Sequence, residues 1–166
     1  MKAPLIRLLL SIAIPYSLAA STTWAGQGQG LIAETFPDAQ AELRDVVNKI
    51  ADDAMKANIE GLQSIHLVSD KFTKFGPRSF DRQDVTSTNA SEAAFFSSVS
   101  DMKYRVNDLK IDVFGDIGVV TYYPQVSFVK DGESRLVNGR QTLVFLKTDQ
   151  GWKIVHEHGT VRLQAR

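Results

Sequence analysis

The sequence contains no cysteine among its 166 residues. Disulfide bonds are therefore excluded, and an oxidising compartment would add no cross-link to the fold. A zinc site would have to take its ligands from histidine and carboxylate side chains. A chain of this length buries enough surface to fold as one domain without cross-links.

An excess of charge of either sign is also lacking. Lysine and arginine together number 19, as do aspartate and glutamate, so the formal net charge is zero. Binding to a nucleic-acid backbone requires a positively charged surface, and no basic block occurs in the sequence. We therefore expect no nucleic-acid partner. A phosphate-binding loop, a dinucleotide fingerprint and a Ser-His-Asp order are absent as well.

No apolar run is long enough to cross a membrane. The longest run, Leu8 to Ala20, has about 13 residues, whereas a spanning helix needs ~20. Lys2 and Arg7 precede it, small residues follow it, and no acidic residue occurs before Glu34. This arrangement predicts a secretory signal peptide over 1–25, cleaved after Ala25 or Ala20. An uncleaved N-terminal anchor is the alternative. We therefore expect a secreted protein, in the bacterial periplasm, with no transmembrane segment after processing.

Helices are predicted in the first half of the chain and strands in the second. Residues 26–37 alternate glycine and glutamine at their start and predict a flexible tether, followed by one domain over 38–166. Apolar residues at helical spacing predict a helix from Pro37, with Asp38 as its N-cap. A second helix is expected after Asn58, a strand at 71–75, a polar loop at 78–90 and a third helix capped by Ser91.

Four β-rich runs follow, at 104–114, 117–129, 135–147 and 152–163, and turn residues separate them. Helices followed by antiparallel strands indicate the α+β class. Such long strands must twist, so the sheet is expected to curve strongly around the N-terminal helices and form a cone with one open end. That open end would lead to a pocket lined by alternate strand residues.

The last hairpin, Arg140 to Thr160, carries the candidate chemistry. Trp152, Ile154, His156 and His158 are spaced two apart, which predicts that all four side chains leave one face of the strand. Leu143 and Phe145 pair onto the same side, which is the more apolar one and is assigned to the interior. The predicted pocket then holds several further side chains, namely Tyr123, Gln125 and Gln141. Arg140 would join the histidine face if the pairing register shifted by one residue.

The order of elements resembles the nuclear transport factor two-like superfamily, which includes SnoaL-like proteins and ketosteroid isomerase. The closest local likeness is to the association domain of calcium/calmodulin-dependent protein kinase II and its SnoaL-like relatives. The pattern consists of Asp149, Gly151, Trp152, Val155, His156, His158 and Thr160, with the run 111–116 and Tyr123 upstream. Gln125 and Leu143 replace two pocket arginines of that domain. The resemblance implies a cone-shaped domain that dimerises.

Three functions remain open at this point. The first is a module that binds a small, largely apolar ligand and dimerises through its sheet, with Trp152, Gln125, Gln141, Arg140, Phe145 and Leu143 as ligand-binding residues. The second is an isomerase, dehydratase or cyclase in which His156 or His158 moves a proton and Tyr123 stabilises an oxyanion. The third is a dimerising interaction module with a vestigial pocket.

The two histidines also have a structural interpretation and a metal-binding one. They could bond the backbone or a nearby carboxylate without touching any ligand. His-x-His on one strand face is a metal-ligand spacing, with His66 as a conceivable third ligand. We predict neither a metal nor a cofactor.

Overall fold

A computed structural model describes residues 24–77 and 79–162 of the chain. Within these residues, four helices and one short strand come first and four long strands follow, which confirms the predicted α+β class. Their bounds are α1 Trp24–Ala33, α2 Pro37–Met55, α3 Ile59–Gln63, β1 Thr73–Phe75, α4 Val85–Phe96, β2 Ser100–Phe114, β3 Ile117–Lys130, β4 Glu133–Thr148 and β5 Gly151–Arg162.

The five strands form one curved sheet with the order β1-β5-β4-β3-β2. Strands β2 to β5 are a meander of antiparallel neighbours, whereas β1 pairs with β5 in parallel. Irregularities in register interrupt β2 between Asn107 and Lys110 and the β4–β5 pair at Val144 and Phe145. Such bulges bend and twist a strand locally, which helps the sheet to curve around the helices.

Helix α2 packs on what we call the inner face of the sheet, which carries Val120, Tyr122, Leu143 and Phe145. The opposite side is called the outer face. Leu43 of α2 is fully buried and belongs to the same core as these residues. The helix approaches β3 closely at a glycine: a Cβ on Gly118 would lie 2.5 Å from Leu43 Cδ1. Burial of this apolar face is the main stabilising contribution to the fold.

Two of the predicted helix starts differ from the structure. Helix α2 has Phe36 as its N-cap without a side-chain hydrogen bond, and the predicted cap Asp38 lies in the first turn. A carboxylate there still favours the helix dipole. Helix α4 begins at Val85 instead of near Ser91, because Asp84 accepts from Ser87 N in a capping box. Asn58 caps α3 as predicted, through a bond from Gly61 N.

The N-terminal predictions lie mostly outside the described residues. Residues 1–23, which make up most of the predicted leader, are outside the described part of the chain. Residues 163–166 at the C-terminus are outside it as well. Helix α1, Trp24–Ala33, includes residues 26–33 of the predicted tether, so that part of the tether is helical. None of the helices within the described residues has the length and apolar character needed to cross a bilayer.

Candidate functional site

A bulge in β5 reverses the direction of the two predicted catalytic histidines. Ile154 lies opposite Phe145, whereas His156 lies opposite Val144, so two steps along β5 match one step along β4. The extra residue, Val155, interrupts the alternation of faces. Trp152 and Ile154 therefore face inward, as predicted, but His156 and His158 lie on the outer face. The expectation that all four share one face is wrong.

On the outer face, His156 and His158 have partners on β1. His156 Nδ1 is 2.8 Å from Thr73 Oγ1. The Phe75 ring meets both imidazoles edge-on, with centroids 5.9 Å away in each case. These contacts fit the structural interpretation of the histidines. A catalytic role for either one stays a prediction, and it could act only from the outer side.

Other predicted residues are divided between the core and the outer face. Leu143, Phe145 and Trp152 are buried under α2, where Trp152 Nε1 donates to Glu42 Oε2 at 2.8 Å. Tyr123 is half exposed on the outer face.

Gln125 and Arg140 are also on the outer face, since they pair with Asn138 and Thr160 there. Gln125 Nε2 donates to Asn138 Oδ1 at 3.1 Å. The expected inward position of Tyr123 and Gln125 is wrong. Side chains alternate along β3, and Tyr122 faces inward, so Tyr123 and Gln125 face outward. Arg140 does lie on the same face as the two histidines. This is the outer face, because the bulge in β5 turns the histidines outward.

Two open grooves lie largely on the outer side of the described residues. One, of about 490 Å³, runs between the segment after β1 and the end of β5, and its lining includes Phe75, Phe80 and His158. The other, of about 270 Å³, includes Tyr123 and Arg140. Several residues of the predicted pocket thus border outer depressions and do not line the interior of the cone.

The inner face carries a buried ionic cluster that the sequence analysis missed. Lys74 on β1 is the register partner of Glu157 on β5, which the bulge turns inward. The Lys74 Nζ atom is 2.5 Å from Glu92 Oε1 and 3.0 Å from Glu157 Oε1. Burial alone would lower the pKa of Lys74, but Glu157 and Glu92 outweigh burial and raise it. Lys74 is therefore an ammonium at neutral pH. Gln141, the one predicted polar pocket residue on this face, donates to Glu157 Oε1 at 3.0 Å.

His66 completes the cluster from the segment after α3. The imidazole is almost fully buried, with Nδ1 2.7 Å from Asn89 Oδ1. Its other nitrogen, Nε2, is 3.8 Å from Glu157 Oε2 and 4.0 Å from Glu92 Oε2. We call His66, Lys74, Glu92 and Glu157 the ionic cluster. The side chains of Glu92 and Glu157 retain 19% and 14% exposure, so solvent reaches the carboxylates.

Two tyrosines lie on the same inner face. The hydroxyl oxygens of Tyr104 and Tyr122 are 3.1 Å apart. Burial raises the pKa of Tyr104 to about 12 and raises the pKa of Tyr122 well above its usual value. Both hydroxyls therefore stay protonated at neutral pH. In the hydrogen bond between them, one hydroxyl donates and the other accepts. The O–H group of the accepting tyrosine is therefore still available as a donor. No other hydrogen bond to either hydroxyl is present within residues 24–77 and 79–162.

The ionic cluster left only a weak signal in the sequence. Its members come from four separate segments, and no local spacing connects them. Lys74 follows Thr73 and precedes Phe75 in a short apolar strand, and Glu157 stands between two histidines. A charged residue in the middle of such a strand can be recognised as half of a buried ion pair only when the residue of opposite charge is known. The position of that partner depends on the bulge at Val155, which no local pattern in the sequence indicates.

Comparison with known proteins places the fold in a large structural group. A Salmonella enterica protein of the nuclear transport factor 2-like superfamily is 18% identical, with a TM-score of 0.70 over 78% of this chain and 95% of that one. A proposed dehydratase of the nuclear transport factor 2-like family from Streptomyces avermitilis is 16% identical, with a TM-score of 0.69 over 78% of this chain and 100% of that one. At such identities the likeness establishes the fold alone. No match was found among curated proteins.

A family model also matches the sequence directly. The model describes a SnoaL-like domain and covers residues 43–163, well over half of the chain. The predicted cone of helices on a curved sheet is confirmed, as is the resemblance to SnoaL-like and nuclear transport factor two-like proteins. The narrower likeness to the kinase association domain stays a prediction. The chain belongs to the SnoaL-like domain family.

Proposed function

We propose that this protein binds a small, largely apolar molecule at the inner face of the sheet. The observation that carries the proposal is the pair of the half-buried Tyr104 and the buried Tyr122, in which one O–H group has no acceptor among the described residues. A buried donor without a partner costs about 1–3 kcal/mol, and a ligand oxygen would satisfy it. The ligand is therefore expected to carry a carbonyl or another acceptor.

Apolar side chains next to the tyrosines support an apolar ligand. Val126 on β3 is the register partner of Tyr104, and Val137 on β4 is the register partner of Val126. Both valines are half-buried. Phe128 lies further along the inner face and meets Phe95 of α4 edge-on, with ring centroids 5.4 Å apart. Most of the remaining polar groups are bonded to one another in the ionic cluster. An apolar surface with a few fixed polar groups is typical of a ligand site.

An enzyme of the isomerase, dehydratase or cyclase type is the second candidate. The likeness to the proposed dehydratase from Streptomyces avermitilis favours it. His66, Glu92 or Glu157 would then be the proton-transfer group, since His156 and His158 lie on the outer face. We place it second because each of these three groups already contacts another side chain of the cluster.

Native mass spectrometry of the protein purified from its own source tests the proposal most directly. We expect a retained small molecule, a chain that begins after Ala20 or Ala25, and two subunits. The N-terminus follows from the proposed export to the periplasm. Tyr122→Phe should raise the dissociation constant of that molecule roughly 2- to 10-fold, the equivalent of one hydrogen bond. Tyr123→Phe is the matched control on the outer face and should leave this dissociation constant unchanged. Protein without any added mass would contradict the proposal, as would equal effects of the two substitutions.

The proposed dimer uses the outer face near the β2–β3 turn. Phe114, Ile117 and Leu146 are neighbours there across three strands, and Val119 pairs with Val144 beside them. Phe114 and Ile117 are 39% and 37% exposed. A second copy of the chain would bury this patch, because apolar patches rimmed by polar residues favour association.

A charge in the proposed interface should separate the subunits. We expect Ile117→Lys to be a monomer by light scattering at concentrations where the unmodified protein is a dimer. A buried, unpaired ammonium is strongly unfavourable in such an interface. Leu136→Lys is the control, since Leu136 is 49% exposed at the other end of the outer face. A dimer that survives Ile117→Lys and dissociates with Leu136→Lys would place the interface elsewhere.

A further inference from the structure

Three side-chain atoms of the ionic cluster lie at the corners of a triangle. His66 Nε2 is 3.8 Å from Glu157 Oε2 and 4.0 Å from Glu92 Oε2. One ligand atom from each of the three residues lies within 4.8 Å of the others. These separations are too long for hydrogen bonds, so the three atoms do not satisfy one another.

The orientation of the imidazole fixes where its lone pair points. An amide oxygen only accepts hydrogen bonds, so the 2.7 Å contact with Asn89 Oδ1 requires a proton on His66 Nδ1. A neutral ring with this proton has its lone pair on Nε2, the atom that faces two carboxylate oxygens. Three electron-rich atoms facing one another in a buried site repel unless a cation lies between them. An Nδ1–H bonded to a carbonyl oxygen is also the arrangement that orients metal-binding histidines.

Lys74 does not occupy this triangle. Its ammonium contacts the Oε1 atoms of Glu92 and Glu157, whereas His66 Nε2 is near the Oε2 atoms of the same carboxylates. The lysine therefore neutralises one of the two negative charges and holds both carboxylates in place from one side. With a neutral imidazole the ionic cluster retains one net negative charge, which a cation at the triangle would offset.

We propose that His66 Nε2, Glu92 and Glu157 bind a divalent transition-metal ion such as Zn²⁺. One imidazole and two carboxylates suit this class, whereas Ca²⁺ and Mg²⁺ prefer oxygen ligands alone. Zinc bonds of about 2.0–2.2 Å in tetrahedral geometry place ligand atoms roughly 3.4 Å apart, so the two edges of the triangle at His66 Nε2 must each contract by roughly 0.5 Å. Two Glu side chains have the rotational freedom to do this. Three protein ligands leave a fourth position, on the side where solvent reaches the carboxylates.

The proposal does not depend on the organic ligand proposed above. It concerns the inner ionic cluster, and it can be tested with the metal ion alone. The competing occupant is a proton on Nε2, which would make His66 an imidazolium and bring the formal charge of the cluster to zero. The two occupants predict opposite results in a metal titration of the purified protein.

The test is a titration of chelator-treated full protein with Zn²⁺, and with Co²⁺ as a spectroscopic probe. We expect uptake of one ion per subunit at micromolar concentration and a visible Co²⁺ spectrum of low coordination number. The melting temperature should rise on binding. His66→Gln and Glu92→Gln should each weaken binding at least tenfold, since each removes a ligand. Far-UV circular dichroism would verify folding, and Glu92→Gln keeps the test valid if His66→Gln fails to fold.

His156→Gln and His158→Gln are the matched controls, because they remove the other imidazoles of the described residues from the outer face. Neither should change the metal affinity. The absence of uptake by the unmodified protein would overturn the proposal and assign the triangle to a proton. Loss of uptake in either control variant would overturn it in favour of the outer face. Metal analysis is separate from the mass of a retained organic ligand, so failure of one proposal leaves the other standing.

Discussion

Lys74→Met is expected to lower the free energy of unfolding by about 3–5 kcal/mol, because it breaks a largely buried ion pair. The substitution retains most of the side-chain volume and removes the ammonium that contacts Glu92 and Glu157. Two largely buried carboxylates then face each other without the ammonium that offsets their charge. Urea unfolding at neutral pH, followed by circular dichroism, measures the difference.

The pH dependence of this effect has a defined sign. The pKa of Lys74 is raised in the folded state, so the stabilisation is fully present below the unfolded value of about 10.5. It is lost as the pH rises through the higher folded value. The gap between the two proteins should thus be constant through the neutral range and narrow in strong alkali. Lys110→Met is the control: its pair with Asp112 is exposed, and such pairs contribute about 0–1 kcal/mol. Equal losses in the two variants would refute the buried-pair argument.

Phe145→Ala is expected to cost about 3–5 kcal/mol of unfolding free energy. Phe145 is fully buried beside Ile154 and Gly118, where it belongs to the core beneath α2. Truncation removes most of the side chain and leaves a cavity that the surrounding strands fill only in part. Chemical denaturation of the variant provides the measurement.

Phe114→Ala is the matched control on the outer face, since Phe114 retains 39% of its exposure. It should cost less than about 1.5 kcal/mol in the isolated subunit, because little apolar area returns to water. The sequence also predicted a ligand-binding role for Phe145. Unchanged stability together with loss of the retained ligand would support that role over the structural one.

The architecture was predictable because each strand run ends in turn chemistry that depends only on neighbouring residues. The turns at Gly115, Gly132 and Gly151 all have positive φ, a conformation that glycine adopts without strain. The helix pattern of α2 was equally local. The start of α4 was missed because its cap, Asp84, lies in a polar stretch without apolar periodicity.

The site was less predictable because it depends on which way long-range partners face. Alternation along β5 correctly placed Trp152 and Ile154 and then failed at Val155. Because of this one bulge, Glu157 lies on the inner face and the two histidines lie on the outer face. The partners of Glu157 come from β1, α4 and the segment after α3, and their meeting is a property of the tertiary fold.

The bulge at Val155 also bears on how relatives with this fold diverge. Insertion or deletion of a single codon there would reverse the direction of every side chain in the end of β5. Glu157 would then face outward, and His156 and His158 would face inward. An alignment column for His156 or His158 therefore need not denote the same spatial position in two homologues. Transfer of function within such a family requires the strand phase to be compared before the residues are.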